Sequence, residues 1–215
     1  MYTHKQRQRK KGHNQVVNDN MTQPIISQIM LRGAAVVSQL KQSCGKDAQQ
    51  AAQLIARSLK AGGKVMFCGN GGSAGDSQHL AAEFVATLDH TKPRPGLAAI
   101  ALTTDSSFIT AYSNDFGFEG IFARQVDTLG KAGDVLVAIS TSGNSENVVL
   151  AAQAAVAKDI TVIGMTGNKQ GALHDCCDLV ISAPSDITMH IQECHIALGH
   201  AITAAVEILV SETQE

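Results

Sequence analysis

Tryptophan is absent from the 215-residue chain, and only six Phe and two Tyr are present. A surface that reads nucleic acid by stacking bases needs more aromatic side chains than this. A strong charge of either sign is also missing. Seventeen Lys and Arg face nineteen Asp and Glu, for a net charge of −2, so whole-chain charge gives no case for a polyanionic partner. Five cysteines are an odd number with no CxxC pair, and no hydrophobic leader precedes them. They read as reduced thiols in a cytoplasmic protein. No uninterrupted apolar run reaches the roughly 20 residues that span a bilayer. Only four prolines occur, and neither an internal repeat nor a low-complexity linker breaks the chain.

What is there is a chain that is 44% hydrophobic, enough for one compact domain. Residues 1–20, MYTHKQRQRKKGHNQVVNDN, stand apart with five Lys or Arg and one Asp. Short basic stretches without periodicity are usually unstructured. The expected division is therefore a disordered basic tail over 1–20 and a single domain over 21–215, the first part of which is a helical pair. IISQIMLRGAAVVSQL repeats apolar residues at three-to-four spacing, and AAQLIARSLKAGG ends in a double glycine that stops a helix.

Beyond that pair, strand and helix signals alternate. KVMFC, LAAIAL, DVLVAI, ITVIGM and DLVISA are short apolar runs of the kind that form strands buried on both faces. SQHLAAEFVATL, EGIFARQVDTL and ENVVLAAQAAVAK carry helical spacing between them, and a last amphipathic helix is expected from about Thr188 to Ile208. This is βαβ order. It predicts an α/β fold with a five-stranded parallel sheet, helices on both faces and right-handed crossovers.

Ligands in such sheets bind beyond the carboxyl ends of the strands. Two of those ends are unusual. GNGGSAG, residues 69–75, offers glycines for close backbone approach ahead of a helix N-terminus. STSGNS, residues 140–145, places Ser140, Thr141, Ser142 and Ser145 before another helix, where hydroxyls and amides can ring a phosphate without Lys or Arg. The first loop lacks the GK[ST] of a P-loop. It fits G-x-G-x-x-A at Gly69, Gly71 and Ala74, with Asp89 about 20 residues on, so a dinucleotide is one reading. A plain turn capped by Ser73 is another. The pairing with a Ser/Thr loop favours a sugar phosphate over both.

His79 and Glu83 are four apart and share a helix face. An imidazole and a carboxylate so placed suit proton transfer or a metal such as zinc. In IQECHIALGH the polar candidates are Gln192, Glu193, His195 and His200. Gln192 and His200 are eight apart, about 12 Å of rise and 80° of rotation on one helix. That spacing leads to the expectation that they serve one small site from two copies of the helix, across a subunit interface. The alternative is a polar stripe on a core helix.

CGNGGSAGDSQHLAAEF, AYSNDFGFEGIFARQV, GDVLVAISTSGNSENV and IQECHIALGH together resemble the sugar isomerase (SIS) domain, and within it the phosphoheptose isomerases. The resemblance implies a flavodoxin-like SIS fold in a cytoplasmic homotetramer with sites at subunit interfaces. It implies a phosphosugar ligand, with neither nucleic acid nor membrane as a partner. It implies interconversion of sedoheptulose 7-phosphate and D-glycero-D-manno-heptose 7-phosphate, early in ADP-heptose and lipopolysaccharide core synthesis. Carried over by motif, Glu83 and His200 are the acid/base pair. Asn70, Gly71, Gly72, Ser73, Glu83, Asn114, Asp115, Ser140, Thr141, Ser142, Ser145 and Gln192 contact substrate. Some members hold a zinc ion, one per subunit, through the positions of His79, Glu83, Gln192 and His200. Two departures concern cations: Thr87 and His190 stand where the family commonly has Arg. The resemblance leaves three other readings. One is a non-catalytic relative that binds the replication initiator, the second an isomerase for another ketose phosphate, and the most distant a dinucleotide-dependent oxidoreductase.

Overall fold

The computed structural model describes residues 19–211. The basic stretch read as a tail lies outside the described residues, apart from its last two, which already belong to a helix. Helix α1 spans Asp19–Ser43 and α2 spans Gly45–Lys60, with the break at Cys44. Five strands follow: β1 Val65–Gly69, β2 Ala99–Ala101, β3 Val135–Ile139, β4 Thr161–Thr166 and β5 Leu179–Ser182. All pair in parallel, as the alternating pattern predicted, and their order is β2-β1-β3-β4-β5.

Every residue of β1 and β3 is buried, which is why these strands read as unbroken apolar runs rather than alternating ones. Alternation survives as a choice between two cores. Val65, Phe67, Val137 and Ile139 face the layer of α1, α2, α3 (Gly72–Val85) and α7 (Thr188–Ser211). Met66, Cys68, Leu136 and Ala138 face α5 (Ile121–Leu129) and α6 (Glu146–Val156). The period of two sends neighbouring side chains to opposite faces.

Two elements differ from the expected pattern. Helix α3 starts at Gly72, so the second half of the glycine-rich run forms its first turn. Gly71 holds the N-cap with φ +57, a conformation natural to glycine, and Ser73 lies buried inside the helix instead of capping it. Helix α4, Ser106–Phe116, carries no clear apolar period, and none of its residues is fully buried. Asp105 caps it by accepting from the Phe108 N–H, and Gly117 ends it at φ +99.

By length and composition α7, with 24 residues, is the one helix among those described that could cross a membrane. It is interrupted by His190, Glu193, His195, His200 and Glu207, and it packs on α1, α2 and α3. Its apolar content is that of a core helix.

Candidate active site

The order β2-β1-β3 makes the chain turn outward in opposite directions after β1 and after β3. The crevice between those two strand ends is the natural ligand position in a doubly wound sheet. Both unusual loops sit there. After β3, Ser140 is buried, and its hydroxyl lies 3.0 Å from the Ser145 hydroxyl and 3.5 Å from that of Ser142. Gly143 makes the turn at φ +68. Ser145 then occupies the N-cap of α6 without its side chain bonding the helix, which leaves that hydroxyl with the Ser140 group. Thr141 completes the loop, its carbonyl accepting from the Gly167 N–H. Three hydroxyls converging at a helix N-terminus suit an anion. The loop is braced from outside: the Leu173 N–H donates to Gly143 O and the Ala172 N–H to Asn144 Oδ1.

After β1, Asn70, Gly71, Gly72 and Ser73 lead into α3. Helices α3 and α7 lie side by side and run in the same direction. Gln192 on α7 rests against Gly72, where a Cβ would come within 2.5 Å of its Nε2. Two turns on, Gly199 meets Leu80, and His200 meets His79.

There the sequence candidates converge. His79 Nε2 lies 3.0 Å from His200 Nε2 and 3.0 Å from Glu83 Oε1, and His200 Nε2 lies 3.5 Å from that same oxygen. The three ligand atoms fall within 4.8 Å of one another. Donors bound tetrahedrally at zinc's usual 2.0–2.1 Å stand about 3.3 Å apart, so the observed edges fit such an ion. Glu83 Oε2 is buried without a hydrogen-bond partner, a spare oxygen at the heart of the cluster. One chain thus supplies three of the four residues proposed for zinc. The fourth, Gln192, sits at the other end of the shared α3 face.

Asn114 and Asp115 stand exposed on the last turn of α4, where Asn114 Nδ2 donates to Asp115 Oδ1. Beyond that pair, neither side chain bonds to a nominated residue among the described residues. His195 belongs to the core: it is fully buried, its Nε2 lies 3.0 Å from Thr166 O, and burial lowers its pKa to about 4.

Sequence reasoning missed Asp76, one turn before His79. Its Oδ2 is buried and unpartnered, and burial raises its carboxyl pKa against the pull of His79 and His200. The spacing Asp76, His79, Glu83 was the available signal. It also missed Arg94, whose guanidinium donates to the carbonyls of Glu83 and Phe84 and pairs with Glu207 at 2.7 Å. This cation closes the end of α3 onto α7. Of the two departures, Thr87 donates to Asp89 O, and His190 is buried against α1 with its Nδ1 2.9 Å from Glu193 Oε2.

Residues 32–167 match the SIS domain family. Phosphoheptose isomerase of Rhodospirillum rubrum is 52% identical over 164 residues, 76% of this chain and 86% of the relative. Among solved structures, phosphoheptose isomerase from Neisseria gonorrhoeae superposes with a TM-score of 0.81 at 40% identity, covering 87% of this chain and 99% of that one. The enzyme from Francisella tularensis gives 0.83 at 34%, over 87% and 98%. The fold and the two strand-end loops therefore define a SIS domain. Within that class the chain belongs to the phosphoheptose isomerase family.

Proposed function

We propose that this chain is an aldose–ketose isomerase that interconverts sedoheptulose 7-phosphate and D-glycero-D-manno-heptose 7-phosphate. The observation that carries the reading is the meeting of Glu83 with His79 and His200 on the shared face of α3 and α7, in a chain whose strand-end crevice is lined by an anion-suited Ser/Thr loop. The phosphate would sit on Ser140, Thr141, Ser142 and Ser145, and the glycine loop and Gln192 would hold the reacting end over α3. Glu83 takes a proton from C1 of the ketose while His200 gives one to the C2 oxygen, leaving an enediol. Glu83 then returns its proton to C2, and His200 removes the proton on the C1 oxygen, leaving the aldehyde. One proton has moved between carbons and one between oxygens, and both groups end as they began.

His79, Glu83, Gln192 and His200 would hold zinc, one ion per subunit, which when bound supplies a Lewis acid to the reacting oxygens. Glu83 can serve both tasks because Oε1 faces the imidazoles while Oε2 is spare. His200 Nε2 can bind an ion or carry a proton but not both, so chelation reports which role it has. We place the enzyme in the cytoplasm, in keeping with five free thiols, as a homotetramer whose sites include residues of neighbouring subunits. Its product would feed ADP-heptose synthesis for lipopolysaccharide or related glycans.

The test is turnover of sedoheptulose 7-phosphate by the purified protein as isolated, after chelation, and with zinc restored. Product formation in the first arm is expected. Folded protein inert in all three arms would overturn the reading.

A further inference from the structure

The two ligand loops are tied to each other by a reciprocal side-chain pair. Asn70 Nδ2 donates to Asn147 Oδ1 at 2.8 Å, and Asn147 Nδ2 donates back to Asn70 Oδ1 at 2.9 Å. Asn70 follows β1 in the glycine loop, and Asn147 lies in the first turn of α6, just beyond the Ser/Thr loop. The pair therefore spans the switch point between β1 and β3. Asn147 is 3% exposed, so losing its amide partner would leave a buried polar group to be satisfied anew. A cavity of about 290 Å³ opens directly on this pair, lined by Asn70, Phe118, Glu119, Ser145, Glu146 and Asn147. The Asn70 carbonyl is occupied as well, accepting from the Ser73 N–H in the first turn of α3.

We propose that Asn147 is a positioning residue for the isomerisation. Through Asn70 it fixes the gap between the Ser/Thr loop, which would hold the phosphate, and helix α3, which carries Glu83. A substrate spanning both must meet them at one separation, and an error of about 1 Å in such alignment can cost on the order of 100-fold in rate. In this arrangement the side-chain amide of Asn70 is spent on the clamp, and the ligand is left with backbone groups of the glycine loop. The inference rests on the reading of the two loops as halves of one phosphosugar site.

The experiment compares wild type with Asn147→Ala, Asn70→Ala and the double variant in the intact protein. Asn147→Asp, which keeps the shape but loses the returning donor, is made in parallel in case the alanine variant folds poorly. Wild-type turnover is measured first, so that inactivity there counts against the isomerase reading alone. We expect Asn147→Ala to lower kcat/KM by about tenfold or more, and the double variant to be no worse than the more damaged single one. Inhibition by inorganic phosphate, which needs only the Ser/Thr loop, should stay within about twofold of wild type. A kcat/KM within about twofold of wild type in a folded Asn147 variant overturns the proposal. So do losses that multiply between the two sites, or a phosphate inhibition constant that rises in step with KM. The last result would mean that Asn147 only shapes the Ser/Thr loop. A denaturant-unfolding cycle on the same four proteins reads the pair without any activity, and independent effects there also overturn the clamp.

Discussion

Glu83 has two oxygens in different surroundings, and that asymmetry makes it testable. Oε1 lies within reach of both imidazoles and Oε2 is buried and unpartnered. Glu83→Gln preserves the volume and removes the base. We expect kcat to fall by about 100- to 10,000-fold with an unchanged melting temperature, measured by coupled assay and thermal unfolding. A near-normal kcat would remove Glu83 as the base. His195 gives a prediction about stability instead. Its pKa falls from the usual 6.5 to about 4 because burial penalises the imidazolium. The unfolded chain takes up that proton below pH 6.5 and the folded chain only near pH 4. This residue therefore withdraws no stability above pH 6.5, and destabilises progressively as pH falls toward 4, by roughly 3 kcal/mol when complete. Urea midpoints at pH 7 and pH 5 should drop less in His195→Gln than in wild type, and parallel drops would refute the assignment. At this scale, motif spacing made His79, Glu83 and the hydroxyls of residues 140–145 legible. Asn147, Arg94 and Asp76 were not, because their roles depend on partners far along the chain or on burial that no local pattern encodes.

Elements were legible where one face is strongly apolar. The strands of the two-sided core announced themselves, and α7 was placed within three residues at its end. Helix α4 escaped because Ser, Phe, Ile, Thr and Tyr are weak helix formers, so its ends rest on an Asp cap and a Gly stop. The side-by-side course of α3 and α7 could not be read at all, although it brings Glu83 to His200. That course depends on Gly199, where a Cβ would lie 2.6 Å from Leu80 Cδ2. Leu80 is itself only 2% exposed, a side chain held within the core. Gly199→Ala gains about 1 kcal/mol in helix propensity, but overpacking typically costs 1–3 kcal/mol and should win. We expect a lower urea midpoint together with reduced kcat, since His200 is the next residue. Gly75→Ala, where nothing lies within 4 Å of the added carbon, is the counterpart and should raise the midpoint. Equal midpoints for the two variants would show that the helix contact is not tight.

For the whole molecule, the first half of α1, which the other described residues leave exposed, decides what the surface is for. Gly33 and Leu40 rest on the domain, whereas Ile25, Ile26, Ile29 and Met30, on the same side of the helix but nearer its start, and Leu31 on the other side are 40–71% exposed. A contiguous apolar patch of this kind on an isolated chain usually marks a surface covered by a partner. It fits the homotetramer proposed above, and it makes α1 the element through which one copy would meet another. Spacing in the sequence showed that α1 is apolar but not which part of its length finds no cover among the described residues. Met30→Glu with Leu31→Glu places two charges on this uncovered stretch without touching the core, since these side chains are 69% and 71% exposed. Buried in an interface, unpaired charges cost several kcal/mol each; left in water they cost almost nothing. Light scattering at micromolar concentration should therefore show wild type as a tetramer and the double variant as a smaller species with the same helical circular dichroism. If activity falls with the assembly, neighbouring subunits complete the site. If the smaller species keeps full turnover, the cluster of His79, Glu83 and His200 within one chain is sufficient. A wild type that is monomeric at that concentration would sink the assembly proposal.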